Sequence, residues 1–352
     1  IPAPPREEQD HVLVDNSGRE IENSNLKIVL TGDFSKDVKY ILAHSSPEDT
    51  IYYLNSPTWL PALAEIKKEI PDLRIIVRSG GNDIVAGWIG EESDKSKHLE
   101  DSRRQLVELI NGHVNYFIVN SEFSRKRTLD LGVDEKKVVK VIGGVDCSLF
   151  RPSTEQVNDD VTKIITVARL VEFKGIDDSL KAVKLASEKT KKSLKYLIVG
   201  DGPSREKLED LTNKLDLGRI VEFTGSKRIE DMPHFYKDSD IFLHLPVLLR
   251  KYERGSSYIH TETMGRSYCE ASASGLPAIG TSVGGVAEII KAGHSGFLVE
   301  ESDFVSAAQY LVRLIDNAEL RLKMGKNARR LACQKFDWKI IFDQYIALFN
   351  EL

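Results

Sequence analysis

The chain has 352 residues, 41% hydrophobic and 29% charged, which is enough for two globular domains with sizeable cores. Its formal net charge of −5 argues against a general nucleic-acid binder, because such proteins carry a basic domain. The three cysteines, Cys147, Cys269 and Cys333, lack paired spacing, so we interpret them as small apolar residues of a protein in a reducing compartment.

No apolar run has the length of a membrane span, and no signal peptide is visible in the sequence. We therefore expect a cytoplasmic protein, with peripheral contact to the inner membrane face left open. The chain begins at Ile1 rather than at a methionine, and we expect a processed or truncated N-terminus.

Short β-branched runs alternate with helical patterns along the first half of the chain. This alternation is typical of a parallel α/β sheet. The predicted strands are Lys27–Leu30, Ile51–Leu54, Leu73–Val77, Tyr116–Val119 and Val138–Ile142, and the predicted helices are Trp59–Glu69 and Leu99–Asn111.

A polar stretch from Phe150 to Asp160 predicts an interdomain linker. Beyond it, six strands with intervening helices predict a second, doubly wound Rossmann-like domain. The tail is helical, with Asp337 as a candidate N-cap. We accordingly predict domains at 1–152 and 153–337, and a C-terminal helix at 338–352 that crosses back to the first domain. The six strands are Lys163–Val167, Lys195–Val199, Ile220–Phe223, Ile241–Leu245, Pro277–Gly280 and Gly296–Val299.

The segment from His260 to Pro277 carries the strongest functional signal. It is predicted to be a loop with a glycine, Gly265, that feeds a helix ending at Gly275. A helix N-terminus offers free N–H groups and positive potential to an anion. Glu262 precedes the helix and Glu270 lies inside it, so the two carboxylates suit the hydroxyls of a sugar and a ribose. Two glutamates alone would be typical of a solvated surface helix.

This segment resembles the E-x7-E element of the family 4 retaining glycosyltransferases, whose usual pattern is E-G-F-G-x-x-x-x-E-A-x-A-x-G-x-P. The chain departs from that pattern at Thr263 and Met264, where the family usually has Gly and Phe. The resemblance implies the GT-B fold, in which two Rossmann-like domains enclose a cleft. The matching positions are Glu262, Gly265, Glu270, Ala271, Ala273, Gly275 and Pro277.

Other segments of the second half are similar to the family as well. Val167–Gly175 resembles G-R-L-x-x-x-K-G, which implies that Arg169 and Lys174 are two cations for one diphosphate. With Glu262 they are the predicted catalytic residues. The resemblance, together with the predicted helix N-terminus, suggests further donor-binding positions at Gly265, Arg266, Ser267, Glu270, Lys227, Arg228, Gly202, Gly284 and Gly285.

The first half resembles the family more weakly, through Val119–Ser124, Val141–Asp146 and Phe150–Pro152. Residues 1–30 lack the family's Gly-Gly loop, so we expect an incomplete N-terminus. Many members carry H-G after the strand that corresponds to Leu73–Val77, whereas this chain has Arg78–Asp83. We predict acceptor-side or sugar-side contacts there, with a plain loop as the alternative. The residues concerned are Gly80, Gly81, Asn82 and Asp83.

Residues 247–261 form an additional basic and aromatic loop in this interpretation. Such a loop would bind an anionic acceptor or close over the sugar, or else it is a solvated excursion without a functional role. The sequence leaves both alternatives open.

The resemblance implies transfer of a hexosyl group from a UDP- or GDP-sugar to a hydroxyl, with retention at the anomeric carbon. The expected partners are the nucleotide-sugar and a carbohydrate, lipid-linked or small-molecule acceptor, with no nucleic acid; contact with a membrane or a partner subunit is left open. No cofactor and no metal are predicted, because no histidine has metal-like partner spacing and Arg169 and Lys174 are expected to take the charge role at the diphosphate. The alternatives are a phosphorylase or epimerase on the same fold, and a non-catalytic subunit that binds nucleotide or glycan.

Overall fold

The structure is a computed structural model that describes residues 51–54, 60, 64, 67–68, 70–81, 95–153, 161–253 and 256–352. The predicted strand Lys27–Leu30 and the candidate site residues Asn82 and Asp83 lie outside these ranges.

The first half contains a parallel four-stranded sheet in the order β1–β2–β3–β4. Ile75 and Val77 of β2 and Phe117 of β3 are fully buried and pack with Leu106 and Ile110 of the first helix. Their apolar runs are nearly continuous, as expected for a parallel sheet that is covered on both faces. The elements are β1 (Ile51–Leu54), β2 (Arg74–Arg78), α1 (Lys95–His113), β3 (Tyr116–Val119), α2 (Glu122–Asp130) and β4 (Val138–Lys140).

The second half contains a parallel six-stranded sheet in the order β12–β11–β8–β5–β6–β7. The chain enters at β5, runs outward through β6 and β7, and then returns to place β8 on the other side of β5. Strands β5 and β8 therefore flank a topological switch point, beyond whose carboxyl ends ligands bind in such sheets. The strands are β5 (Val161–Val167), β6 (Ser193–Val199), β7 (Val221–Gly225), β8 (Ile241–His244), β11 (Ala278–Thr281) and β12 (Gly296–Val299).

Helices cover both faces of this sheet, and side chains cap the first turns of some of the helices in this half of the chain. Asp337 accepts a hydrogen bond from Lys339 N, which confirms it as an N-cap. Asp303 and Asn317 cap their helices in the same way. The helices are α3 (Ile176–Ser187), α4 (Arg205–Lys214), α5 (Met232–Lys237), α6 (Arg266–Ala273), α7 (Val286–Ile289), α8 (Phe304–Asp316), α9 (Ala318–Lys335) and α10 (Trp338–Asn350).

The final helix, α10, returns to the first sheet. Its buried Ile341 and Leu348 pack with Ile76 and Ile118, and Arg78 Nε donates a hydrogen bond to the hydroxyl of Tyr345 at 3.0 Å. The predicted fold class is confirmed, whereas the division into domains at 152 and 337 stays a prediction. No helix in the described ranges has the length and hydropathy of a membrane span.

The segment 247–261 is not a plain loop. It contains an antiparallel hairpin of β9 (Leu249–Glu253) and β10 (Ser256–His260). Glu253 at the end of β9 pairs directly with Ser256 at the start of β10. The base of the hairpin is fixed at Phe173, whose carbonyl accepts from Val247 N at 2.9 Å and whose ring stacks on His260 with centroids 5.6 Å apart.

Candidate functional site

The candidate site begins where the loops after β5 and β8 meet. The first loop ends in a 3-10 turn, Glu172–Lys174, and Gly175 then adopts φ +59. A Cβ atom on Gly175 would lie 1.7 Å from the carbonyl oxygen of Leu245, which follows β8. Because only glycine tolerates both the left-handed backbone and this approach, Gly175 lets the two loops come together.

Lys174 Nζ donates a hydrogen bond to Glu262 Oε2. The two side chains are 16% and 14% exposed, and the ammonium also lies 5.1 Å from the centroid of the Phe173 ring. The structure thus brings together two of the three predicted catalytic residues as a largely buried ion pair.

The main chain of Glu262 is held by the turn before α7. Gly285 N donates to Glu262 O at 3.1 Å. Gly284 has φ +58, and a Cβ there would lie 1.8 Å from the same oxygen. These two predicted donor-binding glycines pack directly on the backbone of Glu262, so they fix its position; whether they also contact the donor stays a prediction.

Helix α6 begins at Gly265, which has φ +90 and lies so close to Tyr268 that a Cβ would be 2.7 Å from the ring. Within the described part of the chain, the backbone N–H groups of Arg266 and Ser267 have no hydrogen-bond partner. They form the positive end of a helix that begins four residues after Glu262, an arrangement suited to a phosphate.

Glu270 lies in the middle of α6 and is half-buried. It accepts a hydrogen bond of 2.8 Å from the hydroxyl of Tyr236. Burial raises the pKa of the Glu270 carboxyl, and the hydrogen bond from Tyr236 and the charge of Arg266 oppose that shift. Sequence reasoning missed Tyr236, whose signal is a single aromatic residue in a short helix.

Arg169, the third predicted catalytic residue, is exposed. Among the described residues, none forms a side-chain hydrogen bond or ion pair with it. Its backbone neighbours are fixed, because Ala168 N donates to Val199 O and Leu170 N to Asp201 O. Gly202 supports the same loop, since a Cβ there would lie 2.4 Å from the carbonyl oxygen of Leu170. Arg169 is therefore an exposed cation on a loop whose backbone is held by hydrogen bonds and close packing.

The two candidate base-site residues lie after β7 and are exposed. Lys227 Nζ is 5.7 Å from the centroid of the Phe235 ring, and Arg228 forms two hydrogen bonds with Asp231, of 3.0 and 3.2 Å. These contacts do not reach Lys174 or Glu262, so a role at the nucleobase stays a prediction.

The Gly80–Gly81 turn of the first half contacts the donor segment. Thr263 donates to Gly80 O at 3.2 Å, and a Cβ on Gly81 would lie 2.4 Å from Thr263 Oγ1. Asn120 Nδ2 also donates to Gly80 O, at 3.0 Å. Sequence reasoning missed Asn120, although a polar residue directly after a buried parallel strand is a usable signal.

Among the described residues, no three His, Cys, Asp or Glu side chains are grouped as a metal ion would require. That the reaction needs no metal or cofactor stays a prediction.

Proteins similar in sequence to this chain include several glycosyltransferases. The chain is 29% identical over 228 residues to the putative colanic acid biosynthesis glycosyltransferase WcaL of Escherichia coli, which covers 64% of this chain and 54% of WcaL. It is 26% identical over 274 residues to a GDP-mannose-dependent monoacylated alpha-(1-6)-phosphatidylinositol monomannoside mannosyltransferase of Corynebacterium glutamicum, covering 75% and 69%. The chain thus spans about half the length of WcaL.

Among solved structures, Anabaena HepE in complex with UDP is similar in fold, with a TM-score of 0.73 at 20% identity. The match covers 91% of this chain and 82% of HepE. Residues 151–331, just over half of the chain, match the family described as Glycosyl transferases group 1. The chain therefore belongs to the group 1 glycosyltransferases and has their GT-B fold.

Proposed function

We propose that this protein transfers a hexosyl group from a UDP- or GDP-sugar to an acceptor hydroxyl, with retention at the anomeric carbon and without a metal. The observation that carries the proposal is the Lys174–Glu262 ion pair beside the unpaired N–H groups that open α6. A cation, a carboxylate and a helix N-terminus converge at the switch point of the sheet, where such folds bind ligands.

The charges suggest how the site works. Without a donor, Glu262 neutralises Lys174. An arriving diphosphate attracts Lys174 and Arg169 and occupies the N-terminus of α6. Glu262 can then accept hydrogen bonds from the hydroxyls of the transferred sugar, while Glu270 accepts from the ribose. The two cations stabilise the negative charge that develops on the departing nucleotide, so the protein acts through positioning and electrostatics.

The activities and ligands of similar proteins support this proposal. HepE was solved with UDP, and the Corynebacterium relative is described as GDP-mannose-dependent. WcaL is described as a glycosyltransferase of colanic acid biosynthesis. We propose an acceptor in glycan, glycolipid or glycoconjugate biosynthesis, and a cytoplasmic site of action consistent with the three free thiols.

Two assays test the proposal. Thermal unfolding is first measured with UDP, GDP, ADP and dTDP and their sugars; a ligand at 100 times its Kd should stabilise the protein by about 2.7 kcal/mol. Nucleotide release is then measured with and without sugar acceptors, and NMR assigns the anomeric configuration of the product. Acceptor-dependent release with retention supports the proposal. Donor binding without transfer or hydrolysis would favour the non-catalytic subunit, and phosphorolysis or epimerisation the other enzymes.

A further inference from the structure

Asn120 directly follows β3, and its buried side chain contacts several other segments of the chain. Its side chain is 5% exposed, and both the nitrogen and the oxygen of its amide form hydrogen bonds. Nδ2 donates to Gly80 O at 3.0 Å and to Thr263 Oγ1 at 3.3 Å, while Oδ1 accepts from Ser124 Oγ at 2.9 Å. One side chain of the first sheet thus contacts both the Gly80–Gly81 turn and the segment that carries Glu262.

Thr263 completes this network from the other side. Its side chain is almost fully buried, and its hydroxyl donates to Gly80 O at 3.2 Å while accepting from Asn120. The neighbouring residue is Glu262, whose carbonyl is held by Gly285 N. Glu262 is therefore held on two sides. Gly285 of its own half of the chain binds its carbonyl, and its neighbour Thr263 is bonded to Gly80 and Asn120 of the other half.

We propose that Asn120 and Thr263 are positioning residues that hold the Glu262 carboxylate in register with the Gly80–Gly81 turn. The pair connects the donor side of the cleft to the acceptor side through one hydroxyl group. Without that hydroxyl, a buried amide hydrogen and a carbonyl oxygen each lose a partner. The segment around Glu262 then shifts, and a displacement of about 1 Å can cost roughly 100-fold in rate. The kinetic part of this inference rests on the proposed transferase function.

Two substitutions at one position test the role of the hydroxyl. Thr263→Val keeps the shape and removes the hydroxyl, whereas Thr263→Ser keeps the hydroxyl and serves as the matched control. We expect kcat to fall about 10- to 100-fold in Thr263→Val and to stay within about 3-fold in Thr263→Ser. The Kd for UDP or GDP, whichever binds the wild type, should change by less than about 2-fold, because nucleotide contacts are proposed elsewhere. Wild-type kcat in Thr263→Val would overturn the inference.

Asn120→Asp provides a second route if Thr263→Val does not fold. Aspartate keeps the oxygen that accepts from Ser124 but donates to neither Gly80 nor Thr263. Asn120→Asp alone should lower kcat about 10- to 100-fold, and wild-type kcat in that variant would overturn the inference. Where Thr263→Val does fold, the variant that combines both substitutions should lose much less activity than the product of the single losses, because both remove the same contact. Fully multiplicative losses would overturn the inference.

Hydrogen exchange separates this inference from the proposed function, because it needs no turnover. The amides of Gly81 and Gly285 are hydrogen-bonded on either side of Thr263, to Ser79 Oγ and Glu262 O. We expect both to exchange faster in Thr263→Val than in Thr263→Ser. If the wild type transfers no sugar but these amides respond as expected, the proposed function fails and the positioning contact stands. Unchanged exchange in Thr263→Val would overturn the contact itself.

Discussion

Lys174 and Glu262 lie 88 residues apart in sequence, yet their side chains form an ion pair that is more than four-fifths buried on both sides. The pair exists because β5 and β8 are neighbours in the sheet, although five helices and strands (α3, β6, α4, β7 and α5) separate them in sequence. In the protein without donor, each charge neutralises the other. The same two residues therefore contribute to stability before binding and, in our proposal, to catalysis afterwards.

Removing one member of this pair should destabilise the protein more than removing both. Lys174→Met leaves a largely buried carboxylate without its cation, which we expect to cost about 2–3 kcal/mol. The double variant Lys174→Met, Glu262→Gln should regain most of this stability, while activity stays at least about 100-fold below wild type. Thermal and urea unfolding give the stabilities. A double variant as unstable as Lys174→Met would show that the pair is not the source of the loss.

Substitution of Arg169 should lower activity while leaving stability nearly unchanged. Its side chain is exposed and has no partner among the described residues. Arg169→Ala should therefore change the free energy of unfolding by no more than about 0.5 kcal/mol. Loss of a cation at the diphosphate should lower kcat/KM about 100- to 1000-fold, with Arg169→Lys in between because it retains the charge.

The matched control for Arg169 is Arg104→Ala. Arg104 is 72% exposed and paired with Asp101 on α1, in the first half of the chain. It should leave both the stability and the steady-state kinetics near wild type. Equal kinetics for Arg169→Ala and Arg104→Ala would remove Arg169 from the site.

Glu270 should make stability depend on pH. Burial raises the pKa of its carboxyl, so the folded protein binds this proton more tightly than the unfolded chain does. Ionisation therefore destabilises the fold as pH rises from the ordinary carboxyl value near 4.5 through the raised value. Relative to wild type, Glu270→Gln should gain stability across that window and keep a constant advantage above it. Thermal unfolding of both proteins between pH 4 and 8 measures this difference in stability. A difference that does not change with pH, or one that shrinks as pH rises, would contradict the prediction.

Tyr236→Phe is the companion variant for Glu270. It removes the hydrogen bond that lowers the pKa of the carboxyl in the folded protein, so the upper limit of the pH window should rise while its lower limit stays in place. In kinetics, Glu270→Gln should raise the donor KM about 10- to 100-fold, the value of a charged hydrogen bond to the ribose. Its kcat should change little.

The strands of both sheets could be predicted because their buried apolar runs are nearly continuous, as in Ile75–Val77 and Phe117–Val119. The hairpin at 249–260 was not predicted, because charged residues interrupt its β-forming residues. The motif indicated Lys174 and Glu262 but not their direct bond, which depends on the crossover between β5 and β8. The contact between Asn120 and Thr263 could not be predicted from sequence periodicity, because it joins two sheets that are far apart in sequence.

Gly284 and Gly293 offer a comparison in which backbone strain is nearly equal and only the surroundings differ. Their φ angles are +58 and +72. A Cβ on Gly284 would lie 1.8 Å from Glu262 O, whereas no heavy atom lies within 4 Å of the corresponding position at Gly293. Gly293→Ala should therefore cost only the left-handed strain, about 1 kcal/mol. Gly284→Ala adds a backbone collision and should cost about 3 kcal/mol.

The activities of these two variants decide whether the turn before α7 controls Glu262. In Gly284→Ala the carbonyl of Glu262 must move away from the new methyl group, and the carboxylate moves with its backbone. We expect kcat/KM to fall more than about 10-fold at a temperature where the variant is folded. Gly293→Ala should retain wild-type kinetics at that temperature. If folded Gly284→Ala were also fully active, the position of the Glu262 main chain would not limit the reaction, and the proposed role of Glu262 at the sugar would have to be abandoned.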